Sequence, residues 1–149
     1  MALDESVRAD LATALKAKDL ARANTLRMLL AAFKNAEIEK RVALTEEERL
    51  AQVQKAIKMR KEAIEGAVKA NRPDVKAAEE SDMKLLQAYL PAQLSDAEMA
   101  DLVAKAIEEA GAKTPAEMGK VMKILMPRIA GRGDGGKASA LVKQKLSSG

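Results

Sequence analysis

The chain has 149 residues and a formal charge of +4, with no cysteine and no histidine. Those two absences exclude disulfides, thiol catalysis and thiolate metal sites, and they remove the commonest general base and metal ligand. With 30 alanines, eight methionines and only Phe33 and Tyr89 as aromatics, the composition favours residues that lose little side-chain entropy in a helix. The expected fold class is therefore all-α.

Leu3, Val7, Leu11 and Leu15 recur every four residues, a stripe that predicts a first helix over 4–18. The surrounding "MALDESVRADLATALKAK" mixes charges with apolar residues and holds no apolar core of signal-peptide length. No segment approaches membrane-spanning length, so a soluble, cytoplasmic protein without a membrane partner is expected. Leu26, Leu29, Leu30 and Phe33 mark a second helix over about 20–41. In "ALTEEERL", Thr45 and Glu48 have capping-box spacing, each side chain satisfying a free backbone N–H of the other. The helix they open should bury Leu50, Val53, Ile57, Ile64 and Val68 and end near "NRPD". Asn71 and Pro73 break it, and Asp74 is expected to cap a fourth helix over 74–89.

"YLPAQLSDAEM" is the expected domain boundary, because Pro91 pushes its predecessor out of helical conformation. Ser95 and Glu98 then form a second capping box, and Gly111 suits the left-handed position after a helix ending near Ala110. Thr114, Pro115 and Glu117 repeat the start signal for a helix with Met118, Val121, Met122 and Leu125, ending near Arg128. A last helix over about 135–147 carries Leu141, Val142 and Leu146. The expected organisation is an N-terminal four-helix domain, 1–91, and a C-terminal three-helix domain, 92–149. Residues 1–110 hold 18 Lys/Arg against 20 Asp/Glu, a net −2, while residues 111–149 hold 8 against 2, a net +6. Such an asymmetry fits an anionic partner or a solvated basic face.

"MPRIAGRGDGGKASALV", residues 126–142, admits three readings. Gly131, Gly136 and Lys137 have phosphate-loop spacing, but Ala138 replaces the hydroxyl that holds magnesium and no strand precedes them. Arg132, Gly133 and Asp134 spell an adhesion tripeptide, which would require an extracellular protein. The third reading is an interhelical turn formed by Gly131, Gly133, Asp134, Gly135 and Gly136, with Gly131 or Gly133 at positive φ and Asp134 capping the next helix. Arg128, Arg132 and Lys137 around that turn leave an anion site open beside the purely structural reading.

"MGKVMKILMPRIAGRGDGGKASALVKQKL" (118–146), "LRMLLAAFKNAEIEK" (26–40) and "YLPAQLSDAEM" (89–99) together resemble the GatB/YqeY family over nearly the whole chain and in the right order. The resemblance implies a two-part helical fold, four helices and then three. It also implies similarity to the tail of the GatB component of the glutamine-dependent amidotransferase that converts misacylated tRNA, where the tail helps to hold the tRNA. At family level it brings a link to carbon–nitrogen ligase activity with glutamine as amide donor.

That activity needs a nucleophile with its base and an ATP-dependent site. The serines (Ser6, Ser81, Ser95, Ser139, Ser147 and Ser148) are scattered, and the acidic run at 46–48 lies in a first helical turn, where it favours the dipole. No catalytic residue, metal ligand or cofactor is therefore assigned, and the chain alone is not expected to be a ligase. The leading expectation is a non-catalytic tRNA-binding or tRNA-handling module contacting phosphates through Lys120, Lys123, Arg128, Arg132, Lys137, Lys143 and Lys145. The scarcity of aromatics argues against reading unstacked bases. Candidate partners are tRNA or a protein of the tRNA aminoacylation or amidation machinery. The alternative is a helical protein-interaction module without a nucleic-acid ligand. Met118, Met122 and Met126 read as core at helical spacing, and Arg27, Lys34, Asn35 and Glu37 form a polar edge beside Leu30 and Phe33. In that edge Lys34 and Glu37 stand at ion-pair spacing.

Overall fold

The computed structural model describes residues 2–148, and among them it contains helices and no strand. The chain divides into two compact units, Met1–Leu90 and Pro91–Gly149.

The first unit contains α1 (Leu3–Lys16), α2 (Leu20–Lys40), α3 (Glu46–Lys69) and α4 (Pro73–Gln87). Its core joins Leu3 and Val7 of α1, Leu26, Leu29 and Phe33 of α2, Val53 and Ile57 of α3, and Leu86 of α4, with Leu44 between helices. Polar groups tie the helices as well. The Leu3 N–H donates to both carboxylate oxygens of Glu46 at 3.1 and 3.3 Å, so α3 caps an α1 whose own N-cap, Ala2, has no side-chain bond. Thr25 donates to Asp82 at 3.0 Å, Arg60 pairs with Glu79 at 3.0 Å, and Tyr89 donates to Asp10. Burial and then the Asp10 carboxylate push the Tyr89 phenol well above its ordinary pKa.

Thr45 and Glu48 form the capping box of α3, and Lys40 also bonds Glu48. The Lys40 hydrogen bond and then the Thr45 backbone N–H hold the Glu48 carboxyl down at about 2.

Two apolar stripes differ from their sequence reading. Leu15 is 41 % exposed and Ala14 is buried in its place. Steps of four residues rotate about 40° past each full turn, so the stripe has swung roughly 120° off by Leu15, whereas Ala14 returns to within about 20° of Leu3. Val68 is 59 % exposed and Ala67 is buried, because α3 beyond Ile57 has left the core cluster. Asp74 does not cap α4 either. Pro73 takes the first helical turn and Arg72 is the N-cap, with no side-chain bond. The guanidinium of Arg72 instead grips Asp74 through Nε and Nη2 at 3.1 and 3.0 Å and lowers its pKa.

The second unit contains α5 (Asp96–Ala110), a single 3-10 turn (Pro115–Glu117), α6 (Met118–Ile129) and α7 (Gly135–Ser148). Ser95 and Glu98 form the capping box of α5, and Gly111 ends that helix at φ 65°. Thr114 makes no side-chain cap bond, and the 3-10 turn it precedes leads directly into α6. Met99, Val103 and Ala106 of α5, Val121, Leu125 and Ile129 of α6, and Ala138, Val142 and Leu146 of α7 make the core, joined by Ala112. Met118 and Met122 pack against it, while Met126 lies outside it and is 40 % exposed. Pro127 lies inside the last turn of α6, where its missing N–H costs the helix one bond shortly before it ends.

Candidate nucleic-acid interface

The glycine turn after α6 serves packing and capping within its unit. Gly131 is buried at φ 72°, a left-handed conformation that side chains with a Cβ adopt at a cost. Gly133 has no such φ; a Cβ there would lie 2.4 Å from the Cε of Met99 and 3.3 Å from Leu94. Its constraint is close approach. The Ile129 carbonyl accepts from the N–H groups of Arg132 and Gly133 at 2.9 and 3.0 Å and so terminates α6.

The segment before α5 lies against this turn. The Leu94 N–H donates to the Arg132 carbonyl at 2.7 Å, and Gln93 Nε2 donates to the Gly131 carbonyl at 2.8 Å and to Pro91 at 3.0 Å. Arg132 Nε reaches the Ala92 carbonyl at 3.5 Å. "YLPAQLSDAEM" and the glycine stretch, far apart in the sequence, are thus two sides of one joint. Gln93 carries no signal in the sequence: its partner stands 38 residues away, and no local pattern announces it.

Asp134 opens α7. Its carboxylate accepts from the Gly136 N–H at 2.7 Å and its carbonyl from the Ala138 N–H at 3.0 Å. A carboxylate therefore already occupies the place a cradled phosphate would need, and its charge repels one. With a helix before it and an Asp in it, the turn lacks the construction of a phosphate loop.

The seven predicted contacts fall into two groups. Arg128 pairs with Glu109 at 2.6 Å, Lys145 donates to the Ala100 carbonyl at 3.2 Å, and Arg132 belongs to the joint. Arg132 also lies near Glu98, whose carboxyl is held below its ordinary pKa first by the Ser95 backbone and hydroxyl and then by that charge. Glu109, Ala100 and Ala92 are the partners that sequence reading missed. By contrast Lys120, Lys123, Lys137 and Lys143 are exposed and, among the described residues, enter no ion pair or side-chain hydrogen bond. Lys120 and Lys123 stand about 60° apart on the solvent side of α6, opposite Val121 and Leu125. Lys137 and Lys143 flank the solvent side of α7 about 120° apart, so they do not share one line.

The unit boundary also moves the charge. Residues 1–90 hold 17 Lys/Arg against 15 Asp/Glu and residues 91–149 hold 9 against 7, so each unit carries a net +2. The contrast lies inside the second unit. Residues 96–110 have one lysine against five acidic residues, while 118–148 have seven Lys/Arg against Asp134 alone.

An all-helical chain of two small units, the second polarised between one acidic and two basic helices, is the class that fold and charge define. A family model described as "Yqey-like protein" matches residues 4–146, and the chain belongs to that family. It is similar to proteins named "Altered inheritance of mitochondria protein 41, mitochondrial". The one from Eremothecium gossypii is 37 % identical over 101 residues, covering 67 % of this chain and 55 % of the relative. The one from Lachancea thermotolerans is 38 % identical over 101 residues, covering 67 % and 54 %. The one from Vanderwaltozyma polyspora is 36 % identical over 85 residues, covering 56 % and 46 %. The chain spans about half the length of the curated relatives it matches. These names correct the expectation of a cytoplasmic protein, since the relatives are named as mitochondrial. No described helix is long and apolar enough to cross a membrane.

Proposed function

We propose that the chain is a non-catalytic RNA-handling module that grips the phosphate backbone of a folded RNA. Its similarity to an amidotransferase tail makes tRNA the candidate ligand and the tRNA amidation machinery a candidate partner. Lys120, Lys123, Lys137 and Lys143 are the proposed contacts, with Arg128, Arg132 and Lys145 holding the fold that presents them.

One observation carries this reading. Lys120 and Lys137 lie in the first turns of α6 and α7, which contain no acidic residue themselves although Glu117 and Asp134 stand directly before them. A cation there opposes the helix dipole, at a cost of about 0.3–1 kcal/mol. Helices α1, α3, α4 and α5 place acidic residues in that turn, whereas α2 has none there, carries Arg22 and is capped by Asp19. Lysines that pair with nothing are accounted for by an external anion, and the contact proposed is a phosphate at the ammonium groups rather than at the helix starts, where Glu117 and Asp134 stand. The test is binding of bulk tRNA and of duplex DNA over a range of salt. Preference for tRNA with steep weakening by salt supports the reading; binding to neither at low salt refutes it.

A second reading, a docking module for a partner helix, has its own observation in the first unit. Between α2 and α3 lie two adjoining hollows sharing Ala36, Glu39 and Gln52, in which Ala32, Ala51 and Ala56 stand among polar side chains such as Lys40 and Lys55, with exposed Met59 at one of them. Alanines allow close helix approach and methionine adapts to irregular partners. If tRNA binding fails, this surface is where Met59→Glu should abolish capture of a partner protein.

A further inference from the structure

A recess of about 240 Å³ lies between α1 and α2, lined by Asp4, Arg8, Leu30, Phe33, Lys34 and Glu37. Two features set it apart from an ordinary charged surface. Asp4 with Arg8, four apart, and Lys34 with Glu37, three apart, have the spacing at which opposite charges pair on a helix. Neither pair forms: Arg8, Lys34 and Glu37 enter no ion pair or side-chain hydrogen bond among the described residues. Asp4 reaches only Arg49 Nε, at 3.8 Å, too far for a hydrogen bond.

The second feature is how the charges are arranged. Helices α1 and α2 are consecutive, packed together and joined by only Ala17–Asp19, so they run antiparallel. Asp4 precedes Arg8 on one wall while Glu37 follows Lys34 on the other. The two carboxylates therefore stand at one end of the recess and the two cations at the other. Each end sets like charges together; of the four groups Asp4 alone has an opposite charge near it, Arg49, and a zwitterion from outside would relieve both ends at once. The ends are about 5–6 Å apart along the helices, one turn. Half-buried Leu30 and buried Phe33 supply an apolar surface between them.

We propose that this recess binds a free amino acid, its ammonium between Asp4 and Glu37, its carboxylate between Arg8 and Lys34, and its side chain over Leu30 and Phe33. The volume corresponds to roughly eight waters at about 30 Å³ each and falls below the range of about 300–1,000 Å³ that accepts drug-sized ligands. A small zwitterion is the occupant that matches both the size and the two charged ends. This site is independent of the lysines proposed to bind RNA.

The test uses the full chain, labelled for amide NMR, titrated singly with the twenty common amino acids at millimolar concentration. Expected are saturable shifts confined to residues around 4–8 and 30–37 for at least one of them. The N-acetyl and the carboxamide derivative of the best binder should each bind about tenfold or more weakly, since each loses one charge-assisted contact. Arg8→Gln with Lys34→Gln should weaken the free amino acid while leaving the carboxamide's residual binding unchanged. Asp4→Asn with Glu37→Gln should do the converse with the N-acetyl form. Circular dichroism checks that both double variants stay folded. The proposal is overturned if no amino acid gives saturable shifts there, or if both derivatives bind as tightly as the free amino acid.

Discussion

The two units fasten their helices by different means. In the first, contacts between distant parts of the chain end largely on side chains: Glu46 on Leu3, Asp82 on Thr25, Glu79 on Arg60 and Asp10 on Tyr89. In the second, apart from Arg128 with Glu109, they end on backbone carbonyls: Leu94 on Arg132, Gln93 on Gly131 and Lys145 on Ala100. Side-chain partners tolerate an ordinary helical backbone. Carbonyl partners require the backbone itself to be placed, which calls for a buried glycine at positive φ and a second glycine in close contact with Met99. That is why the glycine-rich signature belongs to the second unit, and why a reading in terms of phosphate cradling mistakes a joint for a site.

The largest effects should come from emptying either core. Leu26→Ala and Leu125→Ala each remove a fully buried side chain, and each should cost about 2–5 kcal/mol. If the units fold independently, each variant lowers only one of two melting transitions followed by differential scanning calorimetry. A single transition lowered by both would break the comparison.

Smaller effects distinguish the glycines. Gly131→Ala should destabilise by about 1 kcal/mol or more, because alanine is strained at positive φ. Gly66→Ala, inside α3 with open space where its Cβ would go, should stabilise by about 0.5–1 kcal/mol. Urea titration of both variants checks the pair, and equal signs would contradict it.

Acid should sharpen the comparison further. Glu48 in the first unit and Glu98 in the second have lowered pKa values. Their contribution is full above the ordinary value of about 4.5 and, for Glu48, is lost as pH falls toward about 2. Glu48→Gln keeps a capping-box residue without the charge. Stability should then be lower than wild type at pH 7, decline less steeply below pH 4.5 and approach the wild type as pH falls toward about 2. The decline for Glu48→Gln should flatten in the first unit's transition and that for Glu98→Gln in the second's, measured by acid titration of the circular dichroism signal.

Most of the helical layout was legible, because capping boxes at Thr45 and Ser95, the glycine after Ala110 and the apolar stripes are local signals. Where the reading slipped, the cause was tertiary or competitive. Leu15 and Val68 satisfied a spacing rule yet faced solvent, and the Asp74 carboxylate is gripped by Arg72 instead of capping the helix. For the candidate interface, residue type picked out the seven basic side chains but not which were already engaged. Arg128 and Lys145 meet partners on another helix, and no sequence spacing encodes that meeting. The recess between α1 and α2 was half visible: Lys34 and Glu37 stood out, but Asp4 and Arg8 join them only once the hairpin closes.

The central functional claim is that unpaired lysines of α6 and α7, rather than basic residues at large, hold RNA. The most direct test is the salt dependence of bulk tRNA binding for the wild type, Lys120→Ala with Lys123→Ala, and Lys58→Ala with Lys61→Ala. Each neutralised phosphate contributes a logarithmic slope of roughly −0.7 to −0.9. The first double variant should therefore be shallower by about 1.4 to 1.8 and weaker by a similar factor for unrelated tRNAs, since phosphate contacts position without specifying sequence. The second should match the wild type. Equal slopes for all three proteins, or a larger loss from Lys58 and Lys61, would contradict the account.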